Sequence, residues 1–353
     1  MTSFFEKAEK YRAHSQFHEA EKIYRQILKV KKIDAAQKAE ALLGLGDVER
    51  IQGKFKEALV HYQAAHPLLK NLNPFYSRDA QVGWALAARA VGRPQEALRK
   101  LTQALGFYQK TGDFQGQAFA HWALGGTRRI AGKMKEGLKE LQIALRMYQK
   151  LKDPEGTAYT CCALGGIYRM LGQYDLSGKY YREANHRMRR RGDTFGIAYS
   201  YCGLGNVERM AGRFKQALPF YRKAEKLYAT IGDRVSYAYT LWSIGTAYKM
   251  LGLHYPQAHW AFYKADHLFK KTGDTRGRIY ALLGFAETEW LQGHTVKGNA
   301  YWKQAKSIAD KSDFAWESLH VDSLKGGKVQ PLGAKYKQAG SRFHPVILPV
   351  NWP

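Results

Sequence analysis

The segment YCGLGNVERMAGRFKQALPFYRKA, residues 201–224, decides the fold because the chain repeats it in altered form. Forty residues earlier stands CCALGGIYRMLGQYDLSGKYYREA, and forty residues later LWSIGTAYKMLGLHYPQAHWAFYKA. One glycine recurs at spacings of 39, 40, 40, 40, 40 and 41 residues, as Gly53, Gly92, Gly132, Gly172, Gly212, Gly252 and Gly293. Ser15 takes its place 38 residues before Gly53, which gives eight copies over residues 1–310. Such a period is typical of repeat architectures.

Each copy is predicted to form two antiparallel helices. On both sides of Gly212, apolar residues recur every three or four positions, the spacing of a helix face. The glycine ends the first helix because it adopts the left-handed conformation without penalty. Aspartates of the joins between copies are predicted to cap the following helix: Asp113, Asp193, Asp233 and Asp274. One hairpin cannot bury its apolar face alone, so the copies should stack into an all-α solenoid.

These positions resemble the tetratricopeptide repeat (TPR) family. The pattern consists of a large residue, Leu-Gly, a further residue, a small residue, an aromatic and another small residue. Here it reads Tyr201, Leu204-Gly205, Glu208, Ala217, Tyr221 and Ala224, and one copy earlier Cys161, Leu164-Gly165, Tyr168, Ser177, Tyr181 and Ala184. The forty-residue period resembles the longer subclass of LGN/Pins-type scaffolds, kinesin light chains and some bacterial peptide receptors. The resemblance implies a right-handed superhelical solenoid of about eight hairpins and a binding function.

A basic residue recurs four positions after the Leu-Gly glycine, and it forms one helix face with aromatic and small residues. The resemblance places this face in a concave groove, where stacked helices about 8–10 Å apart would arrange the basic side chains as a ladder. Gly126, Gly166 and Asn206 are expected to leave room for a ligand backbone. Two structural alternatives stay open: the arginines could pair with carboxylates of the next copy, and the tyrosines could be core. The predicted groove residues are Arg50, Arg89, Arg129, Arg169, Arg209, Lys249, Asn206, Tyr159, Tyr199, Tyr239, Trp122 and Trp242.

The predicted partner is a protein that offers an acidic or extended segment, because guanidinium groups bind carboxylates in a forked manner. The chain would then be a scaffold or adaptor. Its formal net charge of +26 also suits single-stranded nucleic acid, with aromatics stacking on bases and cations following phosphates. Nucleic acid is therefore the alternative partner.

Several function classes are not expected. The phosphate-binding, dinucleotide-binding, zinc-protease and nucleophile-elbow motifs are missing, so neither catalysis nor a cofactor is predicted. Cys161 and Cys162 lack metal-site spacing and are expected to be packing residues, as is Cys202. No apolar run is long enough for a membrane span, and the first residues do not form a signal peptide. The sequence predicts a soluble cytoplasmic protein and does not determine its oligomeric state.

The last part of the chain departs from the repeat. Residues 311–326 are predicted to form a capping helix over the last hairpin. Residues 327–353 are predicted to be extended or flexible, because FHPVILPVNWP sets prolines around an apolar core. Packing on the solenoid is the first expectation for this tail. If it occupied the groove, deletion of residues 340–353 would raise partner affinity.

Overall fold

The protein is described by a computed structural model that covers residues 2–252, 254–338, 341 and 343–353. In these residues, sixteen helices form eight consecutive antiparallel hairpins, and each hairpin packs on the next. The first helices of the hairpins are α1 (Thr2–Ala13), α3 (Ala35–Ile51), α5 (Pro74–Ala90), α7 (Phe114–Ile130), α9 (Pro154–Met170), α11 (Thr194–Met210), α13 (Arg234–Met250) and α15 (Thr275–Leu291). The second helices are α2 (Phe17–Leu28), α4 (Phe55–Leu72), α6 (Pro94–Thr111), α8 (Met134–Lys150), α10 (Tyr174–Arg191), α12 (Phe214–Ile231), α14 (Tyr255–Thr272) and α16 (Thr295–Ala309).

The turns have the chemistry that the sequence predicts. The recurring glycines have φ between 74° and 88°, the left-handed region that ends a helix at low cost. Ser15 adopts φ 59° in the first hairpin, as expected for the residue in the glycine position. Each predicted aspartate cap accepts a hydrogen bond from a backbone N–H in the first turn of its helix: Asp113, Asp193, Asp233 and Asp274. The repeat pattern therefore sets the helix ends.

The interior of the second, fifth and sixth hairpins is built on a tyrosine that lies against a glycine. A Cβ atom added at Gly205 would lie 2.6 Å from the ring of Tyr221, and one added at Gly165 would lie 2.8 Å from Tyr181. Tyr181 also reaches the next hairpin, where a Cβ at Gly203 would come within 2.1 Å. The small residues thus admit an aromatic ring that joins neighbouring hairpins.

The solenoid closes on itself after about five hairpins. Gly53, in the turn between α3 and α4, faces Val235 of α13 and Thr272 of α14. Ile51 and Ile231 belong to one apolar cluster, although they lie in the second and sixth hairpins. Successive turns of the superhelix therefore pack directly on one another and enclose the first-helix face.

The chain after α16 covers one edge of this superhelix. It forms α17 (Ala315–Asp322), an antiparallel strand pair β1 (Leu324–Lys325) and β2 (Lys328–Val329), and α18 (Gly333–Gln338). Helix α17 packs on α15 and α16, and the preceding Asp313 N–H reaches the carbonyl of Gly92.

The predicted tail differs from the structure in one respect, since residues 333–338 are helical rather than extended. The helix buries Tyr336 against Trp316, Met134 and Met170. That burial of an aromatic side chain favours local order over an extended chain. Residues 339, 340 and 342 of the predicted tail lie outside the described residues.

Candidate functional site

The predicted basic residues occupy the last turn of six successive first helices, α3 to α13. We call the face that carries them the inner groove. Arg129 of α7 lies close enough to Arg276 of α15 for each charge to act on the other, although their hairpins are four apart. This proximity indicates that the first-helix face lies on the inside of the superhelix. The row divides into three parts with different surroundings.

The first part is Arg50, which is held within its own hairpin. Its Nε donates to the hydroxyl of Tyr62 at 3.1 Å, and its Nη2 lies 3.8 Å from a carboxylate oxygen of Asp47. The guanidinium therefore already has a counter-charge, although the carboxylate belongs to its own helix and not to the next copy, where the structural alternative placed it.

The second part, Arg89, Arg129 and Arg169, has no carboxylate within salt-bridge distance among the described residues. Arg89 donates weakly to the hydroxyl of Thr127 at 3.3 Å, and Nη1 of Arg129 lies 3.9 Å from the sulfur of Met170. Nε and Nη1 of Arg169 are buried without a hydrogen-bond partner in the described part of the chain. These three guanidiniums form an uncompensated positive cluster, which we call the arginine cluster.

The arginine cluster lies in an enclosed space that solvent still reaches. Burial, and then the charges of Arg129 and Arg50, lower the pKa of Arg89 to about 9, so the group stays protonated at neutral pH. Burial, then Arg276, likewise lowers the pKa of Arg129. Tyr199 is 36% exposed, yet burial raises the pKa of its hydroxyl. Tyr199 is therefore both surrounded by protein and accessible to solvent.

The space over Gly126 is filled by the protein itself. Nη1 of Arg89 lies 2.8 Å from the position of a Cβ at Gly126, so the missing side chain makes room for the arginine of the preceding hairpin. A Cβ atom at Gly166 would lie 3.4 Å from the hydroxyl oxygen of Tyr181. The expectation that Gly126 leaves room for a ligand backbone is therefore wrong, because arginine reaches across the small residue.

The third part, Arg209 and Lys249, is covered by residues 350–352, which we call the docked segment. Both cations are fully buried, and so is Glu287 of α15. Lys249 Nζ lies 2.8 Å from Glu287 and donates to the carbonyl of Val350 at 2.9 Å. Arg209 donates to the carbonyl of Trp352 at 2.8 Å.

Glu287 was not among the residues predicted from the sequence. The one signal for it was a carboxylate at a position that holds small or apolar residues in most copies.

The predicted aromatic and amide residues mostly have internal partners. The hydroxyls of Tyr159 and Tyr239 donate to the capping aspartates of the next hairpin, at 2.8 and 3.3 Å. Trp242 is buried, donates to the carbonyl of Tyr280 and faces the Arg209 guanidinium at 5.3 Å. Asn206 accepts from the hydroxyl of Tyr221 at 2.9 Å. These residues therefore support the inner groove, and their polar atoms already bond to other residues of the solenoid.

Trp122 differs from the other aromatic residues. Its ring stacks on Phe119 at 5.6 Å, and its buried Nε1 has no hydrogen-bond partner among the described residues. Among the predicted aromatic residues, Trp122 therefore has an unpaired polar atom and Tyr199 has an exposed surface.

The three cysteines are buried, as expected for packing residues. Burial raises the pKa of the Cys161 thiol to about 11, which disfavours the reactive thiolate at neutral pH. Within the described ranges, no group of three or more metal-ligating side chains comes together. No helix in the described parts of the chain has the length and apolar character to cross a membrane.

A second, partly buried ion pair joins α15 to the C-terminal cap. Arg276 Nε lies 2.6 Å from Glu317 of α17, and His320 one turn later is also fully buried. The imidazole Nδ1 lies 2.8 Å from the hydroxyl of Tyr336. This polar core under the cap was not predicted from the sequence.

We expect His320→Asn to make stability less dependent on acidic pH. Burial lowers the pKa of His320 to about 3, against about 6.5 in an unfolded chain, so below pH 6.5 the unfolded state binds the proton first. At pH 5 this proton binding lowers the unfolding free energy of the wild type by about 2 kcal/mol. Asp233 and Asp274 act in the opposite sense, because burial raises their pKa to about 6.

The measurement is the urea-unfolding free energy of wild type and His320→Asn at pH 7.5 and pH 5. The aspartates are common to both proteins, so their effects cancel in the comparison. The difference between the two proteins should shrink by about 2 kcal/mol on acidification. A difference independent of pH would show that His320 is protonated equally in both states.

Comparisons with known proteins agree with the repeat architecture. Two sequence profiles described as tetratricopeptide repeat match, one over residues 37–110 and 162–230 and the other over residues 5–68. No curated protein matches the sequence.

Several solved structures have a similar fold. The Rap conjugation gene regulator of the plasmid pLS20 in complex with the Phr* peptide aligns with a TM-score of 0.65 at 14% identity, over 88% of this chain and 94% of that one. A Rap protein complexed with Competence and Sporulation Factor gives 0.61 at 15% identity, over 84% and 80%. The APC/C hetero-tetramer Cut9-Hcn1 gives 0.61 at 16% identity, over 90% of this chain and 55% of that one. At these identities the similarity concerns the fold alone.

Proposed function

Because this chain belongs to the tetratricopeptide repeat family of protein-interaction scaffolds, we propose that its inner groove binds an extended acidic segment of a partner protein. The carboxylates of that segment pair with the arginine cluster. The chain acts as a non-enzymatic scaffold or adaptor in this proposal. The observation that supports it most directly is the set of three enclosed guanidiniums without a carboxylate of their own among the described residues.

Half-buried charge without a counter-charge is costly, and a ligand carboxylate lowers that cost. Mutual repulsion adds to it, since Arg129 lowers the pKa of Arg89 and Arg169 lowers that of Arg129. A forked guanidinium–carboxylate contact supplies two hydrogen bonds as well as charge. One solved structure of similar fold, the pLS20 regulator, holds the Phr* peptide.

The spacing of the arginine cluster suggests the form of the ligand. Stacked helices repeat about every 8–10 Å. A polyproline II segment rises about 3.1 Å per residue with three residues per turn, so side chains three apart share a face and lie about 9 Å apart. A segment with Asp or Glu at every third position therefore presents one carboxylate to each arginine.

The test uses a fluorescent peptide of four Glu-Pro-Ala triplets and fluorescence anisotropy. The double substitution Arg129→Glu with Arg169→Glu should weaken binding at least about 30-fold, since each lost pair leaves charge unmatched. The control is Lys139→Glu with Lys179→Glu, two exposed lysines of α8 and α10 that give the same change in net charge. The control should change affinity by less than about threefold in physiological salt.

A second peptide of the same composition, with its four glutamates adjacent, tests the spacing and should bind more weakly. Equal losses in the groove variant and its control would contradict the proposal, because binding would then follow net charge alone. The groove variant should stay folded, since each new carboxylate stands among arginines.

Nucleic acid remains the alternative ligand because of the net charge of +26. The surroundings of Tyr159, Tyr239 and Trp242 favour the peptide, since a hydrogen-bonded or buried ring offers no free face for base stacking. A labelled oligo-dT of twelve nucleotides in the same assay distinguishes the two. Tighter binding of oligo-dT that is lost in the groove variant would favour nucleic acid.

A further inference from the structure

The docked segment is recognised along its whole length by three hairpins. Both backbone groups of Val350 are paired: its N–H donates to Glu287 at 2.6 Å, and its carbonyl accepts from Lys249 at 2.9 Å. The Asn351 amide donates to the carbonyl of Arg209 at 2.8 Å and accepts from the Arg209 guanidinium. The contacts come from α11, α13 and α15, so one short segment spans the sixth to eighth hairpins.

The indole of Trp352 anchors the segment. The side chain is fully buried, and its Nε1 donates to Glu287 at 2.6 Å. Its ring lies 4.5 Å from that of His320 and 6.0 Å from that of Phe343. The carbonyl of Trp352 accepts from Arg209 at 2.8 Å. A large aromatic with a satisfied N–H in a dry pocket is the kind of contact that dominates peptide affinity.

The groups that hold the segment belong to the ladder itself. Arg209 and Lys249 occupy the same position of their helices as the arginine cluster does in earlier hairpins. Glu287 lies one helical turn before the end of α15 and supplies the only negative charge that these two cations contact in the described residues. Glu287 offsets one of the two positive charges, and the site contacts the docked segment through backbone, amide and indole groups that carry no charge.

We propose that the inner groove of the sixth to eighth hairpins is a peptide-binding site that the chain keeps occupied with residues 350–352. A partner segment that enters this part of the groove is extended, uncharged and carries an indole after an amide side chain. It displaces the docked segment. A ligand that runs the full length of the ladder also has to displace it, so the docked segment limits access to two of the six basic positions.

The test supplies the segment from outside. The probe is a fluorescent peptide with the sequence of residues 343–353, FHPVILPVNWP, and the readout is anisotropy with the full-length chain. Wild type should bind it weakly, because a tethered segment competes at an effective concentration in the millimolar range. A Trp352→Ala chain should bind it at least about tenfold more tightly, since its own segment has lost the anchor.

Two controls isolate the site. Ile347→Ala changes a side chain that is 77% exposed in the same tail, and it should behave like the wild type. A probe in which alanine replaces the tryptophan should bind neither chain. If Trp352→Ala disturbs folding by circular dichroism, Asn351→Ala provides the same comparison, because it removes the amide contacts of a partly exposed residue.

Equal affinity of the probe for the wild type, Trp352→Ala and Asn351→Ala would overturn the proposal. Absence of probe binding to all three proteins would overturn it as well. The outcome is independent of the acidic ligand. If the Glu-Pro-Ala peptide fails and FHPVILPVNWP binds the Trp352→Ala chain, the proposed function is wrong and this inference stands. If the Glu-Pro-Ala peptide binds and FHPVILPVNWP does not bind the Trp352→Ala chain, the proposed function stands and this inference is wrong. The docked segment would then be a structural part of the fold.

Discussion

A Glu287→Ala variant should lose about 3–5 kcal/mol of unfolding free energy, because removal of one partner leaves a buried charge unpaired. Glu287 and Lys249 are both fully buried, and their charged atoms are 2.8 Å apart. The same carboxylate accepts from the N–H of Val350 and the indole of Trp352, so two further donors lose their acceptor. Burial already lowers the pKa of Lys249, and only Glu287 opposes that shift strongly.

Urea unfolding followed by circular dichroism measures this loss. The matched control is the double variant Lys249→Met with Glu287→Leu, which removes the pair together. That variant should be more stable than Glu287→Ala, since no isolated charge remains. A loss below about 1 kcal/mol in Glu287→Ala would show that water reaches Lys249 and that the ion pair is not enclosed.

Gly53→Ala should destabilise the protein by about 2–5 kcal/mol, whereas Gly212→Ala should cost about 1–2 kcal/mol. Both glycines end a first helix, with φ of 78° and 77°, so both pay for a left-handed alanine. A Cβ at Gly53 would lie 2.1 Å from Val235 Cγ2, while at Gly212 nothing lies within 4 Å. Valine cannot turn aside easily, because its branched side chain is fixed at χ1.

Comparison of the two variants isolates the contact between superhelix turns from the strain of the turn residue. Their unfolding free energies in urea should differ by about 1–3 kcal/mol. Similar values would show that the second and seventh hairpins do not press on one another in solution.

Much of the architecture follows from local sequence. The forty-residue period predicts the eight hairpins, and the glycine and aspartate positions predict where helices end and begin. These signals are legible because each acts over a few residues: a left-handed turn, a capped N–H, or an apolar stripe at helical spacing. The LGN/Pins-like subclass, the right-handed sense and the acidic partner remain predictions.

The inner groove was predictable only as a row of equivalent positions. The repeat gives Arg129, Arg209 and Lys249 the same place on a first helix, and it cannot tell them apart. Their surroundings differ because of residues far away in the chain: Arg276 approaches Arg129 from the eighth hairpin, and Asn351 and Val350 cover Arg209 and Lys249.

The sequence by itself determined the repeating hairpin, its turns and the positions that carry positive charge, since all of these are encoded within one forty-residue unit. The tertiary structure alone decided which charges are neutralised, which are left without a carboxylate partner among the described residues and which are covered by residues 350–352. The physical reason is that burial and pairing are set by curvature, which brings hairpins four or five units apart into contact, and curvature is a sum over all hairpins that no single copy specifies.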